Sequence, residues 1–171
     1  MLDSGRVENL FVEMRRYVRF GPEDEAALRG LHPHAAPHFR RLAEEWYARL
    51  EEHPEALTVF ASPEQVARLK GTMVEWLGSL LLGPWDDAYY AHRVRIGQTH
   101  VRVALPQRYM LGAMCLIRLS LQQIGRAAIP DQDVRITTTL AVAKILDLEL
   151  AIMLDSYREA YVDRVQELER L

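Results

Sequence analysis

Residues 95–106 of this 171-residue chain read Arg-Ile-Gly-Gln-Thr-His-Val-Arg-Val-Ala-Leu-Pro, and they place one histidine near the end of a helical pattern. The pattern breaks at Pro106, six residues after His100. The helix neighbours Ile96 and Gly97 are apolar or small, so the imidazole lies on an apolar face. A histidine in such a position is either a core residue with satisfied nitrogens or a ligand, and the rest of the sequence bears on which it is.

The composition is that of a globular domain. Apolar residues make up 49% of the chain and charged residues 26%, and the length allows a substantial core. A net charge of −3 argues against a surface for nucleic acid or anionic membranes, since either needs a basic excess. Cys115 is the only cysteine, which excludes an intrachain disulfide and cysteine-based zinc sites. No signal peptide or membrane-spanning apolar run is visible, so we expect a cytoplasmic protein.

Helical patterns run through almost the whole sequence, and no strand is predicted. A first amphipathic segment covers 7–20, and Pro22 begins a second helix with acidic residues in its first turn. The sequence from His32 to Pro37 predicts a break. Further helices are predicted over 38–52, 63–82, 85–104, 106–125 and 131–171, with Ser62 as the N-cap of the second of these. The expected architecture is one all-α domain of seven or eight helices.

The last predicted helix is unusually long for a domain of this size, at about 40 residues or roughly 60 Å. It carries an apolar seam at spacings of three and four, close to a heptad repeat with one slip: Leu150, Leu154, Tyr157, Tyr161, Val165 and Leu168. The seam fits either a long core helix with a frayed end or a helix that pairs with a second copy. Because the pattern stops without a capping glycine or proline, we expect the chain to be part of a larger protein.

The other five histidines do not indicate a metal centre. Four of them flank prolines or helix ends, where capping and surface roles are usual: His32, His34, His38 and His53. His92 precedes His100 by eight residues, which places the two about 80° apart around a helix. No HExxH motif or histidine–carboxylate cluster at ligand spacing occurs. Haem iron, however, needs only one axial protein ligand, and an apolar helical domain suits that flat cofactor.

Residues 95–113, RIGQTHVRVALPQRYMLGA, resemble the signature segment of globin-coupled sensors, the haem-globin domains that report oxygen to a bacterial signalling module. The family pattern is approximately R-I-G/A-x-x-H-x-R-I/V-G-L, followed by a proline or threonine region, an aromatic residue and small residues. Ala104 stands where the family usually carries glycine, a change we expect to be mild. The resemblance implies that His100 is the proximal ligand of the haem iron.

Two further segments are similar to the family in the same order. Residues 46–50, Trp-Tyr-Ala-Arg-Leu, resemble its second globin helix, with tryptophan in place of the usual phenylalanine, and residues 62–70 resemble the start of a later one. The resemblance implies that Tyr47 donates a hydrogen bond to the gas ligand and that Leu69 lies on the distal wall. Other residues expected to line the pocket could equally fill the core: Phe60, Val66, Met73 and Ile96.

The resemblance covers roughly residues 10–155 and implies a globin fold with an additional N-terminal helix over about 1–20 and a long C-terminal helix. It also implies a homodimer formed through a four-helix bundle of 106–125 and 131–171 from each subunit. The chain 1–171 would then be a single sensor domain, with about 156–171 leading toward an output module in cis. The cofactor implied is haem b, iron protoporphyrin IX, and its ligands are O2, CO, NO and cyanide.

The implied function is that of an oxygen sensor and not of an enzyme, with no nucleic-acid or membrane partner. A histidine kinase of a two-component system, a cyclase or a chemotaxis transducer could be the output. Arg93, Arg95 and Arg102 could reach the haem propionates, although a solvated face is the simpler interpretation. Two other functions stay open: a stand-alone globin with O2 or NO redox chemistry, and a haem-free interaction module in stress signalling. The presence of His100 and Tyr47 argues against the second.

Overall fold

The computed structural model describes residues 8–171, and every regular element in that range is helical, as predicted. The helices are α1 (Leu10–Tyr17), α2 (Pro22–Ala35), α3 (Phe39–Leu50), α4 (Pro54–Leu57), α5 (Pro63–Leu82), α6 (Asp87–Arg102), α7 (Gln107–Ala128) and α8 (Gln132–Glu169). No helix within 8–171 is long and apolar enough to cross a bilayer. Residues 1–7, which include the start of the predicted N-terminal segment, lie outside the described range.

Side-chain caps fix where the two helices that carry most of the site begin. The Ser62 hydroxyl accepts a hydrogen bond from the Gln65 backbone N–H at 3.1 Å, which confirms the predicted start of α5. The Asp86 carboxylate accepts from the Tyr89 N–H at 2.9 Å at the start of α6. Each cap satisfies a backbone donor that the first turn leaves unpaired, which typically stabilises a helix by about 1 kcal/mol.

The break predicted over His32–Pro37 is wrong in its extent. Helix α2 continues through Pro33 to Ala35, and only Ala36–His38 tighten into a 3₁₀ turn. Pro33 has no N–H to donate to the carbonyl four residues earlier, which costs one bond of the helix. Leu31 and Ala35 are nevertheless fully buried on the inner face of α2. Their packing holds the helix together across the missing bond, because most helical stability comes from tertiary packing.

Helix α8 is the axis on which the other helices pack, since α1, α2, α6 and α7 all contact it. Its buried residues run from Thr138 to Ser156. Beyond Ser156 the helix leaves the body of the domain, and Tyr161 is 71% exposed. The first part of α8 is therefore a core helix, as one interpretation expected, but its end is not frayed, because the helix continues unbroken to Glu169. Pairing with a second copy stays a prediction.

Two apolar clusters make up the interior. The larger one draws on α1, α2, α3, α5, α6, α7 and α8, and the smaller one gathers around Tyr47, Leu50 and Ala56. Met73 of α5 packs against both. Residues of both clusters border a cavity between α3, α5, α6 and α7, and this cavity is the candidate site.

Helix α6 ends in a Schellman motif that begins at His100. The Leu105 N–H donates to the His100 carbonyl at 3.0 Å, and the Ala104 N–H donates to the Val101 carbonyl at 3.0 Å. Ala104 takes the left-handed position of this motif, with φ +58°. Glycine is preferred there because a Cβ crowds the backbone in that conformation. The alanine expected to be a mild change thus places strain in the turn directly after His100.

Replacing Ala104 by glycine is expected to raise the free energy of unfolding by about 1 kcal/mol, because it removes the left-handed strain. The same exchange at Ala91, exposed in the interior of α6, should lower it by about 1 kcal/mol, because glycine is a poor helix former. Urea unfolding followed by circular dichroism measures both. A similar loss for the two variants would show that Ala104 is unstrained.

Candidate functional site

A cavity of about 850 Å³ lies between α3, α5, α6 and α7, and its wall is predominantly apolar. Six of the seven residues that the sequence suggested for a pocket border it: Tyr47, Phe60, Leu69, Met73, Ile96 and His100. The seventh, Val66, does not border the cavity and packs against the cluster around Tyr47 and Leu50. The structure therefore brings together residues that lie more than fifty positions apart in the sequence.

His100 is held in one tautomer by the backbone of its own helix. Its Nδ1 lies 2.8 Å from the Ile96 carbonyl oxygen, which can only accept, so Nδ1 carries the proton. The lone pair is therefore on Nε2. Burial lowers the pKa of His100, with the Ile96 carbonyl acting against it, so the imidazole is neutral at neutral pH. A neutral imidazole that is oriented through Nδ1 has the form required of a metal ligand.

The donor set around this imidazole fits a haem iron and does not fit a multi-ligand metal ion. Across residues 8–171, no group of three or more His, Cys, Asp or Glu side chains is arranged to hold a metal. His92 also borders the cavity, but its Nδ1 lies 3.1 Å from the Arg93 guanidinium, which engages that nitrogen. One free imidazole nitrogen in an apolar wall is what a haem requires of its protein.

Tyr47 stands in the cavity wall as a buried hydrogen-bond donor. Its ring is 6% exposed and lies between Trp46, at 4.6 Å between centroids, and Phe60, at 5.8 Å. Burial raises the pKa of the phenol, so the hydroxyl keeps its proton. No hydrogen bond joins that hydroxyl to another residue within 8–171. It is thus available to a polar acceptor placed in the cavity.

The interpretation of Arg93 as part of a solvated face is wrong. Arg93 is fully buried, and its Nε donates to Glu149 Oε1 of α8 at 2.7 Å. Its Nη2 donates to the Ser79 hydroxyl of α5 at 2.9 Å, and the Tyr89 hydroxyl donates to the same oxygen of Glu149. Acceptors within the protein therefore bind most of the N–H donors of the Arg93 guanidinium. Arg95 and Arg102 are exposed, and Arg95 also borders the cavity, so a contact of Arg95 with a haem propionate stays a prediction.

Glu149 is the residue that the sequence interpretation missed. It is fully buried, and its second oxygen, Oε2, has no hydrogen-bond partner within the described residues. Burial raises the pKa of this carboxyl, while Arg93 and Tyr89 act to lower it. The sequence does contain a signal for it, since Glu149 is the one acidic residue in the apolar run Leu148–Leu154. An acid in such a run is stable only with a partner, and the partner cannot be read from spacing.

The floor of the cavity comes from α7 and was also not predicted. Residues recur there at spacings of one, three and four along one face of the helix: Tyr109, Met110, Ala113, Met114 and Ile117. Such a stripe in a sequence indicates a buried face but does not distinguish contact with a cofactor from contact with another helix.

The family model described as Protoglobin matches residues 7–163 of this chain. Among curated proteins, the heme-based aerotactic transducer HemAT of Halobacterium salinarum is 29% identical over 136 residues, which cover 74% of this chain and 28% of that protein. This chain therefore spans little more than a quarter of that relative's length.

Solved structures give the same picture. The globin domain of the Geobacter sulfurreducens globin-coupled sensor is 36% identical, with a TM-score of 0.78 over 85% of this chain and 96% of that one. The ferric globin domain of E. coli DosC is 16% identical, with a TM-score of 0.71 over 85% and 97% of the two chains. At that identity the DosC likeness supports the fold alone.

Proposed function

This chain belongs to the protoglobin family, and we propose that it is a haem-based gas-sensing domain that regulates a linked signalling output. The family confirms the predicted resemblance to globin-coupled sensors and the globin fold. One observation carries the functional proposal. A neutral imidazole with its lone pair on Nε2, His100, and a phenol without a hydrogen-bond partner among the described residues, Tyr47, border the same large apolar cavity.

Haem b suits this cavity in size and in chemistry. A volume of about 850 Å³ lies within the range of pockets that enclose ligands of comparable size. His100 Nε2 would ligate the iron, and the apolar side chains of Phe60, Leu69, Met73 and Ile96 would contact the porphyrin. Val66, which lies behind the wall, would support Tyr47 by packing. When bound, haem supplies an iron at which O2, CO, NO or cyanide binds.

Tyr47 would distinguish among these gases. Its hydroxyl keeps its proton and has no competing partner in the described residues, so it can donate to an acceptor in the cavity. A donor that is already in place stabilises a ligand that gains negative charge, and O2 gains more than CO does. The residue therefore favours O2 as the physiological ligand.

The direct test is an absorption spectrum of the purified chain in its ferric, reduced, oxygenated and CO forms. We expect a Soret band that shifts with each ligand, and its loss or strong alteration in His100→Ala, because the other histidine on the cavity within residues 8–171, His92, is exposed and its Nδ1 lone pair accepts from Arg93. His34→Ala, on the exposed surface, should leave the spectra unchanged. Protein without a Soret band after addition of haem would contradict the proposal and favour a haem-free module.

Tyr47→Phe is expected to raise the O2 dissociation rate by about 10- to 150-fold, because a hydrogen bond to a charged acceptor contributes about 1.5–3 kcal/mol. CO dissociation should change much less. Stopped-flow and flash-photolysis kinetics measure the two rates. Tyr17→Phe makes the same change at a residue that is 80% exposed, and it should alter neither. Equal effects on O2 and CO would show that the hydroxyl does not interact with the ligand.

A homodimer through α7 and α8 is supported by the distribution of exposed apolar side chains. Most of the large ones in residues 8–171 lie on these two helices, and they include Leu111, Leu119, Ile136 and Leu140. Exposed apolar surface concentrated on two neighbouring helices is typical of a protein interface. Pairing of these faces would form the four-helix bundle expected from the sequence.

Leu140→Arg should convert the dimer into a monomer, because it places a charge in the centre of the proposed interface, where Leu140 is 55% exposed in the single chain. Sedimentation velocity measures the change. Leu82→Arg introduces the same charge at an exposed apolar residue of α5 and should leave the dimer intact. A monomeric wild type, or a dimeric Leu140→Arg variant, would contradict the interface.

The output module remains a proposal, as do the domain limits of 1–171 and the cytoplasmic location. The exposed extension of α8 beyond Ser156 supports a helical connection to another domain. A histidine kinase, a cyclase or a chemotaxis transducer would each fit that connection, and any enzymatic activity would belong to that module. A stand-alone globin with O2 or NO redox chemistry is the remaining alternative, and no observation on the described residues favours it.

A further inference from the structure

A chain of two hydrogen bonds links the backbone of His100 to α8. The Leu105 N–H donates to the His100 carbonyl at 3.0 Å, and the Leu105 carbonyl accepts from the Tyr157 hydroxyl at 2.6 Å. Within this chain of hydrogen bonds, Leu105 is the one residue between His100 and Tyr157 of α8. Leu105 also borders the cavity.

Tyr157 occupies the boundary between the two parts of α8. Ser156 is the last buried residue of the helix, and Tyr157 is the last apolar residue that packs against the main cluster. Within residues 8–171, no side chain after Tyr157 forms a hydrogen bond to another helix or loop. The Tyr157 hydroxyl therefore makes the last side-chain hydrogen bond that α8 receives, among the described residues, before its exposed extension begins.

The other contacts between α6 and α8 are tight and leave little freedom. Arg93 and Glu149 form a fully buried ion pair, and Gly97 packs so closely on Ser156 that a Cβ there would lie 2.5 Å from its hydroxyl oxygen. The Tyr157 bond differs, since it is only partly buried. It also ends on a turn that carries the left-handed Ala104. A displacement at the end of α6 would thus change the Tyr157 bond before it changed the other contacts.

We propose that Tyr157 is the positioning residue that couples the turn after His100 to the exposed extension of α8. This inference rests on the proposed haem site at His100. A ligand-dependent movement of His100 shifts the Leu105 carbonyl, and the hydroxyl either follows it or releases it. By linkage, the energy of that hydrogen bond also contributes to ligand affinity. Its removal therefore changes both the response of the extension and the affinity for the ligand.

Tyr157→Phe tests the coupling, because it removes the hydroxyl and keeps the ring. Tyr161→Phe is the matched control, one turn later on the same helix, 71% exposed and without a hydrogen bond among the described residues. The ferrous haem-loaded chain is compared with and without CO by hydrogen exchange. In the wild type and in Tyr161→Phe, CO should change protection both in 99–106 and in 158–169. In Tyr157→Phe the change should persist in 99–106 and disappear from 158–169.

The CO dissociation constant of Tyr157→Phe should also shift by about two- to twelve-fold, the equivalent of one neutral hydrogen bond. Denaturant unfolding of the haem-free protein measures the free energy of unfolding and so shows whether the hydroxyl only stabilises the fold. Lower stability with an unchanged response of 158–169 would overturn the proposal. Wild type that binds haem but shows no CO response in 158–169 would overturn the coupling alone, whereas wild type without a Soret band would overturn the proposed function and the coupling with it.

Discussion

The buried ion pair between Arg93 and Glu149 is the constraint on which the site depends. Both side chains are fully removed from water, and each would be strongly destabilising without the other, by about 3–5 kcal/mol for a stranded charge. The pair therefore permits essentially one axial alignment of α6 on α8. His100 follows Arg93 by seven residues, so the two lie about 20° apart on the same face of α6. The alignment that satisfies the charges also presents the imidazole to the cavity.

The same helix packs tightly on α8 with one face and borders the cavity with the adjoining face. Gly97 brings the backbone of α6 against Ser156 of α8, and no larger residue would fit there without movement. Ile96 and His100, about 100° and 60° further round the helix, border the cavity. The close contact with α8 therefore also fixes the position from which these two side chains reach the cavity.

Local signals in the sequence predicted most of the fold. Ser62 with Pro63, and Gly83 with Pro84, limit α5 as expected, and the apolar spacing gave the other helices. The failures have a common cause. Pro33 is tolerated inside α2 because buried neighbours hold the helix, and burial by residues distant in sequence cannot be read from spacing.

The site was predictable to the extent that its residues carry recognisable chemistry. His100 stood out because an imidazole on an apolar face needs a reason, whereas Tyr47 was named only through the resemblance of residues 46–50 to globin-coupled sensors. Arg93 did not, since its partner Glu149 lies 56 residues away and a surface arginine has the same local pattern. Val66 shares its helical spacing with Leu69 and Met73, and spacing alone could not show that it packs against the Tyr47 cluster and not on the cavity.

The length of α8 gives the domain a mechanical property. From Ser156, the last buried residue, to Glu169 the axis extends about 20 Å at 1.5 Å per residue. A tilt of about 3° at Ser156 therefore displaces the far end by about 1 Å. The exposed part of α8 thus acts as a lever arm that starts where Ser156 packs against Gly97, and it enlarges a movement too small to disturb the core.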